Sequence, residues 1–109
     1  MTEGTGERPL RGPIADLVAY QDGAIVSRVI LKKGAGSVTL FAFDRGQELS
    51  EHTTPFDALV QVLDGTAELT VGGASHRLDA GEALVMPGGV PHAVRAPDRF
   101  KMLLTMIRS

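Results

Sequence analysis

The sequence predicts an all-β domain, a sandwich or barrel, and three observations carry that reading. Ten short segments rich in Val, Leu, Ile and Phe follow one another at regular spacing. The gaps hold turn chemistry: Asp22-Gly23, Lys33-Gly34, Arg45-Gly46, Asp64-Gly65, Gly72-Gly73, Ala80-Gly81 and Pro87-Gly88-Gly89. No window of ten or more residues keeps a helical period.

In chain order, the polar, Gly- and Pro-rich start over 1–13 reads as a flexible arm, and 14–109 as one domain. "ADLVAY" (15–20) and "AIVSRVIL" (24–31) are the first predicted strands. In "SVTLFAF" (37–43), Val38, Leu40 and Ala42 share one face, while Phe41 and Phe43 share the other. "LSEHT" (49–53) carries His52, and "DALVQVL" (57–63) follows Pro55. "AELTV" (67–71), "SHRL" (75–78), "EALVM" (82–86) and "PHAVRA" (91–96) come next. In the last strand, "FKMLLTMI" (100–107), Phe100, Met102, Leu104 and Met106 form one face and Leu103 and Ile107 the other. Strands apolar on both faces are covered twice, by a core inside and by something outside. In so small a domain a second subunit is the predicted cover, which makes the protein a homodimer; the alternative is the chain's own N-terminal segment.

Bulk properties narrow the function classes. The 109 residues contain no cysteine, which removes disulfides, thiolate metal sites and cysteine nucleophiles and suits a reducing cytoplasm. A net charge of −2 with scattered Lys and Arg gives no support to a nucleic-acid or anionic-membrane surface. No apolar run approaches the roughly 20 residues of a membrane span. There is no Gly-rich phosphate loop, no G-x-S-x-G elbow and no spacing that suggests a Ser-His-Asp triad.

Two spaced patterns remain. Gly46 is followed after "QELSE" by His52-Thr53-Thr54, then "PFD", Ala58, "LVQVLD" and Gly65. Gly81 is followed after "EALVM" by Pro87-Gly88-Gly89, "VP", His92, "AVR" and Ala96. This segment, 46–96, resembles the two motifs of the cupin family: Gly, five residues, His-x-His, three or four residues, Glu, six residues, Gly; and Gly, five residues, Pro-x-Gly, two residues, His, three residues, Asn. The resemblance implies a double-stranded β-helix, a jelly-roll barrel of two antiparallel sheets. In the family a metal is held by both histidines and the glutamate of the first motif and by the histidine of the second. His52 and His92 keep ligand positions here; Thr54, Ala58 and Ala96 replace the other histidine, the glutamate and the asparagine.

The predicted site follows. His52 and His92 are the candidate metal ligands, for a divalent Zn, Ni, Fe, Cu or Mn ion or for none. His52, Thr54, Ala58, Gln61, Met86 and His92 are the candidate lining of a pocket for a small polar organic molecule. Thr54 is a poor ligand for borderline metals; Asp57, Gln61 or water would complete a metal set, the two histidines with waters holding an ion weakly, and Asp57 faces the pocket only if Pro55 introduces a bulge. His76 is assigned to a solvent face, and Lys101 to a solvated head or to a substrate carboxylate. The leading expectation is a ligand-binding barrel with an optional metal. The rivals are a metal-dependent oxygenase or isomerase and a non-catalytic dimeric sensor or scaffold. No catalytic residue is assigned.

Overall fold

The computed structural model describes residues 9–108. Eight strands lie among them: β1 Ile25–Lys33, β2 Gly36–Phe43, β3 Glu48–His52, β4 Asp57–Val71, β5 Ala74–Asp79, β6 Ala83–Met86, β7 His92–Arg95 and β8 Phe100–Ile107. Every pairing is antiparallel, and the hydrogen-bonded path runs β1-β2-β8-β4-β7-β3, with β5 and β6 also paired to β4. The first half of β4 pairs with β8 and β6, the second with β5 and β7. One long strand therefore belongs to two sheets, which curl over a shared interior. No helix among the described residues is long and apolar enough to cross a membrane.

The passage of β4 between sheets corrects one expectation. Asp64-Gly65 reads in the sequence as a turn between two strands, yet the chain continues extended through it. The register with β8 slips between Val62 and Asp64, and Gly65 takes φ 73°. A Cβ on Gly65 would lie 2.0 Å from the Arg99 carbonyl oxygen, so glycine is what lets the bend and the start of β8 approach.

A second correction concerns 15–20, predicted as a strand. Pro13 leads into a 3-10 helix, Ile14–Leu17, with the Asp16 N–H donating to the Pro13 carbonyl at 2.9 Å, and the chain becomes extended only at Val18. This segment packs on the outer face of the larger sheet, where Val18 is buried with Leu40 and Ala42 and flanked by Leu17, Tyr20, Leu63 and Leu103. Arg28 donates to the Leu17 carbonyl (2.9 Å), Lys101 to the Ala15 carbonyl (2.6 Å), and the Tyr20 hydroxyl to Asp64 (2.6 Å). The chain's own N-terminal segment thus covers half of that face. Lys101 serves this outer cover and no pocket. The other half presents the transverse row Leu31, Val38, Thr105, Leu59 and Val85, with Ile107 beside it. Leu31 (59%), Val85 (61%) and Ile107 (59%) are largely exposed. The arm predicted over 1–13 lies, for its first eight residues, outside the described residues.

Residues that share a face by alternation share a side of the sheet. Phe43, Phe100 and Met102 point inward with Val60, Val62 and Leu69, and the Phe43 and Phe100 rings stack at 4.5 Å. Cross-strand partners form straight rows on the inner side of the larger sheet: Val29, Thr39, Leu104, Val60 and Leu84 in one, and Lys32, Ser37, Met106, Ala58 and Met86 in the next, nearer the barrel mouth. In the smaller sheet the corresponding row is Ala74, Val71, His92 and His52.

Candidate functional site

His52 closes β3 and His92 opens β7, and their Cα atoms are direct cross-strand partners. Their rings meet edge to face with centroids 4.3 Å apart. His92 is 6% exposed, whereas His52 faces solvent. Each ring is tied to its own strand: His52 Nδ1 lies 2.9 Å from the Ser50 carbonyl and His92 Nδ1 3.2 Å from the Val90 carbonyl. A carbonyl oxygen only accepts, so each Nδ1 carries a proton, and in its neutral form each ring keeps an Nε2 lone pair. The pair offers two acceptors on adjacent strands.

The loops explain why residues forty positions apart meet. The turn before β7 is laced to the loop before β4: the Gly89 N–H donates to the Thr54 carbonyl at 2.7 Å, and the Gly88 N–H to Asp57 Oδ1 at 2.8 Å. Gly88 sits so close to Pro55 that a Cβ there would stand 2.5 Å from the Pro55 carbonyl oxygen. Thr54 turns its hydroxyl to its own loop, accepting the Phe56 N–H at 2.9 Å. The glycines of one motif and the Thr-Pro-Phe-Asp of the other act as a single brace behind the histidines.

The remaining predicted residues separate by face. Ala58 and Met86 are buried on the inner row, paired with each other. Gln61 alternates away: it pairs with Leu103 and Ala83, on the side of Leu59 and Leu63, opposite the core-facing Val60 and Val62. Asp57 is exposed and spent on Gly88. His76, expected on a solvent face, is half-buried, pairs with Leu69 and alternates to the core side with Leu78.

The donor set can be set against a metal ion. Among the described residues no three His, Cys, Asp or Glu side chains gather as ligands would. The Thr54 hydroxyl is engaged by Phe56, Ala58 has no donor atom, and Asp57 is turned to the brace. Two imidazole nitrogens fall short of the three or four protein ligands that a metal site uses. These residues do not complete one.

A cavity of about 360 Å³ opens along the same inner face. Val29, Phe56 and Met106 form its apolar wall, Ser37 and Thr39 contribute hydroxyls, and Lys32, Lys33 and Arg108 surround its mouth. The histidines are not in its lining, but Met106 is the cross-strand partner of Ala58, so the cavity abuts the predicted pocket. Of its lining, only Met106 was singled out from the sequence, on the apolar face of the last strand. The one available signal was the adjacent Lys32-Lys33 ahead of a hairpin, since Arg108 approaches from the far end of the chain.

Perturbed ionisations lie at the opposite end of the strands. Asp44 accepts from Arg99 Nε (2.8 Å) and from the Gly23 N–H (2.6 Å), and the Arg99 bond first, then Gly23, holds its carboxyl down at about 2. Burial, reinforced by the hydrogen bond to the Asp64 carboxylate, pushes the Tyr20 hydroxyl well above its ordinary range. Both groups tie the N-terminal segment and the β1–β2 end to the barrel.

Residues 39–107 match the Cupin domain family profile. The chain belongs to the cupin family. Among solved structures, this cupin is similar to a conserved protein of unknown function from Streptococcus pyogenes, at 33% identity and TM-score 0.89, over 94% of this chain and 90% of that one. It is similar to a cupin 2 conserved barrel domain protein from Leptotrichia buccalis, at 40% identity and TM-score 0.84, over 86% of this chain; that protein is longer, and 46% of it is matched. A cupin superfamily protein from Desulfitobacterium hafniense is 29% identical with TM-score 0.86, over 94% and 93% of the two chains. Comparison with curated proteins gives no match. Within the family, this cupin carries His52 and His92 with Thr54, Ala58 and Ala96 at the other motif positions.

Proposed function

We propose that this cupin binds a small polar organic molecule at the barrel mouth, with His52 and His92 as its polar anchor. The observation that carries the reading is the histidine pair itself. Two imidazoles 4.3 Å apart, each with Nδ1 committed to a backbone carbonyl, leave two Nε2 acceptors beside the apolar Val71 row. Such a pair accepts hydrogen bonds from vicinal hydroxyls or from a hydroxyl and an amine, and either ring can take a proton from a bound substrate if the protein is an enzyme. Val29, Phe56 and Met106 of the adjoining cavity supply the apolar wall that small-molecule pockets use around a few polar groups. The incomplete donor set argues against a resident metal as the anchor. The cysteine-free composition supports a cytoplasmic setting.

The test combines metal analysis with thermal shift on untagged protein. A hydroxylated ligand from a small-metabolite panel should raise the melting temperature of the wild type; at one hundred times its Kd it adds about 2.7 kcal/mol. The rise should vanish in His92→Ala, and metal content should stay far below stoichiometric. Stoichiometric zinc, nickel, iron, copper or manganese that is lost in His52→Ala would overturn this reading in favour of the metal-dependent enzyme. A ligand response unchanged in His92→Ala would remove the histidines from the site.

A further inference from the structure

Among the described residues, most cations away from the cavity are paired, while those around it are not. Arg45, Arg77, Arg95 and Arg99 each meet a carboxylate, and Arg28 and Lys101 are spent on carbonyls of the N-terminal segment. Among the described residues no carboxylate comes within 4.0 Å of Lys32, Lys33 or Arg108. The two lysines make no side-chain hydrogen bond there, and Arg108 only a long one, 3.5 Å, to the Gly34 carbonyl. Arg108 is also held over the Phe56 ring, 5.0 Å from its centroid, which fixes a guanidinium at the lip. On a chain of net charge −2, three cations without a carboxylate partner among the described residues converge on one concave, largely apolar space. Such a mouth concentrates field lines and attracts anions.

The register shows where an anion would lead. Lys32 heads the row that continues through Ser37 and Met106 to Ala58 and Met86. A molecule held by its charge at Lys32 and Arg108 lies along that row with the Ser37 hydroxyl beside it, and its body runs over Met106 toward the predicted pocket. About 360 Å³ is at the small end of the roughly 300–1,000 Å³ that ligand pockets occupy.

We propose that the ligand of this barrel is an organic carboxylate with an apolar body, its carboxylate held by Lys32, Lys33 and Arg108 and its body against Phe56, Val29 and Met106. This rests on the ligand-binding reading above and adds the ligand's charge and its direction of entry. A guanidinium and two ammonium groups suit a carboxylate, and the apolar wall disfavours a bare inorganic anion.

The experiment is a set of amide and imidazole NMR titrations with three probes: 3-phenylpropanoate, its neutral amide 3-phenylpropanamide, and inorganic phosphate. The carboxylate should shift the Ser37, Thr39, Phe56 and Met106 amides, with the amide probe at least about tenfold weaker and phosphate failing to reproduce the Phe56 and Met106 shifts. Lys32→Gln with Arg108→Gln should weaken the carboxylate by about tenfold or more; both side chains are exposed, so the fold is retained, and a salt titration of the wild type should weaken binding in parallel. Equal binding of acid and amide, a full response to phosphate alone, or no response of the cavity amides to the carboxylate overturns the proposal. If the amide probe binds equally and shifts the His52 and His92 imidazoles, the anion inference fails while the histidine reading stands. If the carboxylate binds unchanged in the His52→Ala, His92→Ala double variant without imidazole shifts in the wild type, the histidine reading fails and the anion site stands.

Discussion

Gly88→Ala tests the brace behind the histidines. The added Cβ would stand 2.5 Å from the Pro55 carbonyl oxygen, 2.9 Å from its carbon and 3.2 Å from the Phe56 carbonyl carbon, all backbone atoms. The first contact is about 0.9 Å short of the 3.4 Å at which ordinary contact begins, so the loop or the turn has to move. Movement strains the Gly89–Thr54 bond (2.7 Å) and the Gly88–Asp57 bond (2.8 Å). Overpacking costs about 1–3 kcal/mol and each lost hydrogen bond about 0.5–1.5 kcal/mol. With one bond lost, the variant should be roughly 2–4 kcal/mol less stable, a fall in Tm of roughly 10–20 °C for a domain of this size. Gly89→Ala is the matched comparison: nothing lies within 4 Å of its Cβ, but φ is 81°, so it bears only backbone strain of about 1–2 kcal/mol. Denaturant unfolding measures both, and imidazole ¹⁵N spectra report whether the Nδ1–H tautomers survive. A Gly88→Ala protein within about 0.5 kcal/mol of wild type, or one more stable than Gly89→Ala, would refute the argument.

Three further outcomes follow from the structure. Asp44 ionises at about 2 in the fold against an ordinary 3.8, so its contribution is complete above pH 3.8 and is lost as the pH falls toward 2. Asp44→Asn should therefore flatten the stability-versus-pH curve in that window, and an unchanged curve by circular dichroism would remove the role. Tyr20 is the only tyrosine and there is no tryptophan, so its phenolate absorbance is read directly. It should stay protonated past pH 10.0 until the fold opens and titrate earlier in Asp64→Asn, because a raised phenol pKa contributes stability below its ordinary value and loses it as the pH rises. The exposed Leu31, Val85 and Ile107 on the outer row are proposed as a self-association face. Light scattering should give twice the chain mass for wild type and a monomer for Val85→Glu with Leu31→Glu; a wild-type monomer at all accessible concentrations would refute the face.

Much of the fold was legible because period-two alternation is a strong signal where one face is buried. "SVTLFAF" and "FKMLLTMI" separated the face of Phe43, Phe100 and Met102 from that of Leu40, Ala42 and Leu103, and the curl of the sheets makes the first the inner one. Motif spacing pointed to one site for His52 and His92, and the strand register makes them cross-strand partners. Four things were missed. Asp64-Gly65 has the composition of a turn, and only the approach of Arg99 shows that glycine is there for closeness. "ADLVAY" is apolar enough for a strand, but Pro13 and the outer sheet face decide its conformation. Gln61 was assigned to the pocket although its alternation with Val60 and Val62 already pointed it outward. The basic mouth was invisible because it joins the β1–β2 hairpin to the last residues of the chain.

The two-sheet membership of β4 has a consequence for how the molecule opens. Residues 57–71 hydrogen-bond to β5, β6, β7 and β8, so neither sheet can detach without breaking the strand that the other also needs. The amides of β4 should exchange with solvent only through global unfolding, while β1, at the sheet edge, frays separately. The mouth is built partly on that edge, through Val29, Lys32 and Lys33, and partly on β8, through Met106, whose strand is paired to β4. One wall of the site can therefore breathe while the other is as durable as the whole protein.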